Sequence, residues 1–268
     1  MSFKYDPHNK YHRVARGAVI AVLSLVVFVW IWWMIAIIAD KPAVPTPMET
    51  IDALINLINN GDVVTGKSLW TYVGSSMTKF VEGFALAMVV AVPIGLILGS
   101  FKFLREFFTP MIEVLRPIAP IAWAPIFIIL FGYVEGAMLV VFIGIVFPLL
   151  TNIIFGVTKM DSSLIDAAKT LGASNLQIFI KVILPNTVPY IMNGIKVGLG
   201  IGWMCIVAAE LYSSPVGGLG FYLSSMIEAS SYPQAFAGII VIAVLGLLTT
   251  GVAEYIHKYV SRRMGLDA

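Results

Sequence analysis

The chain has 268 residues, 59% of them apolar, and only 17 basic plus 15 acidic side chains. That charge content, 12%, is about half the ~25% usual for soluble domains and excludes an ordinary soluble globule, while the high hydrophobicity excludes a disordered chain. A single cysteine, Cys205, excludes an intrachain disulfide framework, and a net charge of +2 gives no general argument for a nucleic-acid partner.

A helix that crosses a ~30 Å hydrocarbon layer needs roughly 20 apolar residues, because each adds about 1.5 Å and lipid offers backbone polar groups no partner. After a tail at 1–16, the first such window is Gly17 to Ala39, 23 residues without a charge. It is too long for the apolar region of a secretory signal and no small-residue cleavage site follows, so it reads as a permanent anchor. Residues 40–71 form a loop containing a short helix, Met48 to Asn60, with apolar positions Ile51, Leu54, Ile55 and Ile58 and a stop at Gly61. From Gly61 to Ser68 the chain fits GxxxxGK[ST], the pattern that wraps nucleotide phosphates. A working phosphate loop follows a buried strand, whereas this one follows a helix, so the nucleotide reading is rejected.

Five further windows follow: Gly83 to Phe101, Pro117 to Val134, Ala137 to Val157, Pro189 to Ala209 despite Lys196, and Gln234 to Ala253. Six crossings put both termini on one side. Thirteen lysines and arginines fall in the tails, the second-to-third connection and the fourth-to-fifth connection, against Lys41 and Lys67 on the other side. The excess marks the former side as cytoplasmic, so both termini are expected inside a multi-pass cell-membrane protein.

An ionisable group at membrane depth is paired, reaches the surface, or is functional. Lys79 and Glu82 are three apart and read as a local ion pair, with an anion route as the alternative for Lys79. Lys196 can reach the headgroups by snorkelling. Glu210 closes the fifth span, where a helix C-terminus repels a carboxylate, so it needs a partner or water; its readings are a structural staple, a gate or a binding-protein contact. Trp123, Asn193 and Trp203 are packing residues or the lining of a translocation path, to which Glu210 and Lys79 are added as candidates. No nucleophile–base pair or metal-ligand set lies at membrane depth, so no catalytic residue and no metal site is assigned.

The connection at 158–188 is too polar to cross. A helix start at Asp161 to Leu164, a stop at Gly172 and a second start at Ser174 predict two short helices meeting at a glycine. Leu164, Ala167, Ala168 and Leu171 share one face as an apolar ridge that a partner or lipid must cover. Asp166-Ala167-Ala168, three residues, Gly172, nine residues, Val182, then Leu184-Pro185 closely resembles the EAA signature of binding-protein-dependent ABC importer permeases. Asp166 stands for the signature's glutamate and Val182 for its isoleucine. Val44 to Pro47, Ser75 to Lys79, Leu115 to Pro120, and Trp203 through Gly217 to Gly220 look like the nitrate, taurine, alkanesulfonate and bicarbonate subgroup.

The resemblance implies an all-α, type I (MetI-like) permease: a peripheral first helix, 17–39, a five-helix core, 72–260, and a tail, 261–268. It implies an ATPase-coupling role for Asp166, Ala167, Ala168, Leu171, Gly172, Leu184 and Pro185. It also implies a second, identical permease chain, two cytoplasmic ATPase subunits that carry ATP and Mg, and an extracytoplasmic solute-binding protein. The chain itself is then no enzyme and binds no cofactor, and its cargo is a small anion moved by alternating access. The competing classes are a passive anion channel and a membrane subunit of another system.

Overall fold

The computed structural model describes the backbone of residues 10–212 and 217–263 and the side chains of residues 16–212 and 217–262. Most of the predicted tails, 1–16 and 261–268, lie outside the described residues. The described chain is all helical: α1 (Lys10–Ala39), α2 (Pro47–Asn60), α3 (Leu69–Ser100), α4 (Lys102–Leu115), α5 (Ala124–Phe131), α6 (Tyr133–Thr158), α7 (Ser162–Thr170), α8 (Asn175–Ile178), α9 (Leu184–Glu210), α10 (Leu219–Glu228) and α11 (Tyr232–Arg263). Five helical stretches are long and apolar enough to cross a membrane, and a sixth passage arises if the bent pair after α3 is one span.

The core is a seam of close backbone approaches around α6, since small residues let helices meet where lipid supplies no hydrophobic drive. Gly83 of α3 faces Met138 and Val141, Gly95 faces Ile153, and Gly99 faces Val157, so α3 and α6 run parallel. Gly194 and Gly198 of α9 face Leu149 and Ile145, and Gly156 faces Tyr190, so α9 runs antiparallel to α6. Next to α9 lies α11, held by a Trp203 indole donating to Thr249 at 2.8 Å and by an ion pair of Lys196 with Glu254. Lys196, predicted to snorkel, therefore has a carboxylate partner. Of the described α1 side chains only Ala36 is fully buried; Trp32 ties α1 to the bundle by stacking on Phe236 and donating to the Pro45 carbonyl.

Because α3 and α6 are parallel, the chain between them must return from one end of the bundle to the other. It does so in two pieces, α4 and then a 3-10 turn, Pro120–Trp123, leading into α5, with a bend of 82° between them. The predicted continuous span Pro117 to Val134 is thereby corrected. Pro117, Pro120 and Pro125 remove N–H donors and disfavour helix in the residues before them, and Gly132, at φ +87°, ends α5 after eight residues. Those eight supply only ~12 Å of rise, so α4 shares the passage.

Other features differ from the sequence reading, among them the start of the second span, which lies at Leu69 rather than Gly83. The fifth span starts before Pro189: α8, a π-helical turn at Phe179–Ile183 and α9 form one continuous helix, Asn175–Glu210. The sixth runs on past Ala253 to Arg263. In α2 the Thr46–Glu49 capping box and Gly61 set the ends, but the buried face is Thr50, Ala53 and Leu57, while Ile51, Ile55 and Ile58 are exposed. Its small face lies inward, so the larger apolar set is the outward one.

A Cβ on Gly99 would stand 2.5 Å from the Val157 Cβ. Gly99→Leu is therefore expected to cost about 1–3 kcal/mol by overpacking the α3–α6 seam, read as a lower thermal midpoint in detergent.

Candidate functional site

At one end of the bundle α7 and α8 form a hairpin that stands clear of the other helices. The Asp161 carboxylate caps α7 by accepting from the Ser163 backbone N–H at 2.9 Å, and that bond together with the Ser163 side chain holds its carboxyl below the usual range. The helix stops through two backbone bonds, Gly172 N–H to Lys169 and Ala173 N–H to Ala168, with Gly172 left-handed at φ +78°. Ser174 and Gln177 then cap α8 reciprocally. No α7 residue is buried, and Leu164, Leu171 and Leu176 are exposed, Leu171 at 87%. Asp166 pairs with Lys169 at 3.8 Å on the surface, and Ala167 is exposed beside the half-buried Ala168. Leu184 and Pro185 lie apart from this ridge, in the first turn of α9.

At the opposite end α3, α9 and α10 enclose a charged cluster. Lys79 and Glu210, 2% and 1% exposed, pair at 2.8 Å. Glu210 also accepts from Ser76 Oγ at 2.6 Å and from the Gly220 N–H at 3.1 Å. Lys79 donates further to the Gly217 carbonyl at 2.9 Å, and the Leu219 N–H reaches Ser76 Oγ at 2.8 Å. The expected Lys79–Glu82 pair is not formed, because the face of α3 that buries Lys79, Phe80 and Gly83 turns Glu82 outward. The α9 C-terminal repulsion on Glu210 is answered by Lys79 and by the first N–H groups of α10, the electropositive end of that helix. A Cβ on Gly218 would fall 2.2 Å from the carboxylate, so the loop backbone itself lies against it. Sequence spacing alone carries no signal for a pair 131 residues apart.

The phosphate-like loop is a turn between two helices. Asp62 accepts from the hydroxyls of Thr65 and Tyr72, each at 2.6 Å, and from the Val64 N–H at 2.8 Å. Burial pushes the Asp62 carboxyl up, yet these bonds outweigh it and hold the group below its ordinary value. The centre of the loop is thus filled by a carboxylate.

The predicted path residues separate. Lys79, Trp203 and Glu210 are buried, Trp203 stacked on Phe80 at 4.8 Å between ring centres. Trp123 stacks on Phe127. Asn193 donates to Asn152 at 2.8 Å, and Asn152 lines a cavity of about 270 Å³ between α6, α9 and the break after α4. Arg116 and Thr151 line the same cavity. Sequence reasoning did not place Arg116 among the path candidates, since it entered only the charge count and the Leu115 to Pro120 resemblance; its place beside Pro117 at a broken span was the available signal.

The sequence model of the family described as "Binding-protein-dependent transport system inner membrane component" matches residues 91–265. A putative ABC transporter permease protein of Methanocaldococcus jannaschii is 37% identical over 240 residues, 87% of this chain and 88% of that one. The taurine transport system permease protein TauC of Escherichia coli is 31% identical, covering 88% and 86%. The nitrate import permease protein NrtB of Synechocystis sp. is 30% identical, covering 97% and 92%. A chain of the MetNI methionine ABC transporter in an inward facing conformation superposes with a TM-score of 0.62 at 18% identity, over 72% of this chain and 97% of its own, a likeness of fold.

Lys79→Met leaves Glu210 buried and unpaired and is expected to lower stability by about 3–5 kcal/mol, whereas Lys79→Met with Glu210→Leu recovers most of that loss. Thermal midpoints of the two variants check it. Asp62→Ala, which removes the shared acceptor of the Thr65 and Tyr72 hydroxyls and leaves them only each other, is expected to cost about 1–3 kcal/mol in the same assay, and Lys67→Ala to leave both midpoint and transport unchanged.

Proposed function

The chain belongs to the family of binding-protein-dependent transport-system inner membrane components and is the permease subunit of an ABC importer, and we propose that its cargo is a small anion of the nitrate, sulfonate or bicarbonate kind. The observation that carries the mechanism is the α7–α8 hairpin, whose apolar ridge is covered by no element among the described residues and whose second arm continues directly into α9. Asp166, Ala167, Ala168, Leu171 and Gly172 form the docking face for the ATPase, and Leu184 with Pro185 joins that face to the bundle. The small alanines allow close approach, and Gly172 gives the turn that presents them.

In this reading the hairpin end faces the cytoplasm together with both termini, and the Lys79–Glu210 end faces outward, toward the solute-binding protein. Two permease chains, two ATPases and one binding protein make the working unit. ATP and Mg sit on the ATPases, and this chain contributes no catalytic group. Closure of the ATPase pair swings the docked hairpins and tilts the helices that continue from them, alternating the access of the cavity between the two permeases. The identities of NrtB and TauC support an anionic cargo, since each is named for one ligand bearing a compact oxyanion group.

A passive channel would conduct its anion without ATP. Uptake of nitrate or taurine into vesicles carrying the assembled importer and binding protein is expected to require ATP; uptake that survives loss of the ATPase overturns the importer mechanism. Leu171→Glu, which charges the most exposed apolar side chain of the ridge, is expected to weaken ATPase association tenfold or more, as loss of a central apolar anchor does. Gly172→Val is expected to detach the ATPase while the bundle still inserts at normal yield; co-purification of both subunits would count against the docking assignment.

A further inference from the structure

We propose that Arg116, with the Asn152 amide on the same cavity wall and Asn193 bonded to that amide, forms a transit site for the oxyanion group of the cargo at the break between α4 and α5. The inference rests on the anionic-cargo reading above and adds the residue that receives the anion within the membrane. Arg116 caps the C-terminus of α4 and lines the cavity of about 270 Å³ enclosed with Pro120, Thr151, Asn152, Val197 and Ile201. It also lines a second hollow of about 250 Å³ that reaches Thr158, the last residue of α6 before the hairpin. Arg116 and Thr151 stand on the wall common to both hollows. A ligand passing from one to the other meets this guanidinium.

The guanidinium forms no hydrogen bond or ion pair with any described residue. Lys79, Lys196 and Arg105 do have partners, in Glu210, Glu254 and the Gly99 carbonyl. A carboxylate is within reach by sequence: Glu113, one turn earlier on α4, lines the second hollow yet makes no salt bridge with Arg116. The fork is therefore left open.

Its chemistry selects the ligand class. A guanidinium carries five donors, no acceptor and a planar fork that matches the oxygens of nitrate, sulfonate or carboxylate. The neighbouring amides add donors of the same sign: Asn152 Nδ2 gives one hydrogen to the Pro148 carbonyl, Asn193 Nδ2 gives one to Asn152 Oδ1, and each retains a second. Thr151 spends its proton on the carbonyls of Phe147 and Pro148. One charge with the spare amide hydrogen of Asn152 among apolar lining residues makes a weak site, which suits a step that must both take up and let go of its ion.

Lipid phosphate has the same oxyanion chemistry, and a positive charge near the inner leaflet can serve membrane orientation alone. The test separates these sources. In vesicles containing the assembled importer, saturating loaded binding protein and ATP, Arg116→Gln is expected to lower the initial rate of nitrate or taurine uptake tenfold or more. Arg116→Lys keeps the charge but loses the planar fork, and is expected to retain insertion and ATPase co-purification while losing most of the rate. Wild-type transport by Arg116→Lys would overturn the site and leave a topological charge. A loss seen in vesicles of anionic lipid but absent in purely zwitterionic vesicles would overturn it in favour of a headgroup contact. If the unmutated importer assembles with its ATPase but moves none of nitrate, taurine and bicarbonate, the cargo reading falls and this site falls with it; a transporting wild type with indifferent Arg116 variants overturns the site alone.

Discussion

Two helices that run in the same direction through a layer oblige the chain between them to traverse it once more. The side-by-side parallel arrangement of α3 and α6, fixed by glycines at 83, 95 and 99 against the β-branched residues of the neighbour, is that constraint here. It determines the number of passages, places the hairpin and the charged cluster at opposite ends, and requires a crossing from a segment too rich in proline to make one straight helix. The broken passage and the cavity at its break are both consequences. Backbone freed by proline is tolerated at such depth only where protein or a wet space surrounds it.

The same constraint explains how the polar groups are distributed. The cations inside α3 and α9 are not left alone. Lys79 and Glu210 satisfy each other together with Ser76 and the backbone of residues 217–220, and Lys196 meets Glu254 between α9 and α11. Each pair joins two elements distant in the chain, so each also specifies which helix faces stand together. Replacing the fully buried Lys79–Glu210 pair by apolar residues of similar volume need not reduce stability; what that pair excludes is sliding or rotation, because any other register leaves a charge alone in a dry interior.

Much of this was legible in the sequence where information is local. Span length reports on layer thickness, so the positions of α1, α3, α6, α9 and α11 could be read from long apolar windows, free of charge except for Lys196 in α9. Caps are local too: Asp161, Gly172 and Ser174 announced the hairpin, and Gly61 marked the end of α2, whereas the Thr46 cap at its start went unread. Long-range information was illegible. Lys79 was assigned to Glu82 because three residues along a helix is a visible spacing, while its partner on α9 can be found only once α3 and α9 are side by side. In α2 the largest apolar side chains suggested a buried face, but close approach to α11 favoured the small one. The break at Pro117 to Pro125 was visible as prolines and invisible as an 82° bend. Trp203 and Asn193 share α9 and part company only when the neighbours of each turn of that helix are known.

One feature joins the two ends of the molecule. The π-helical turn at Phe179–Ile183 inserts no break, so the helix that begins beside the hairpin at Asn175 ends at Glu210 within the ion pair. At 1.5 Å per residue that shaft is about 54 Å long, and a 5° swing about its foot displaces its tip by about 5 Å. Such a displacement exceeds the reach of a hydrogen bond, so a lever pulled at one face of the membrane must either carry Lys79 and the 217–220 loop along with it or unfasten them. On the ATPase docking proposed above, the buried pair is the clasp at the far end of that lever.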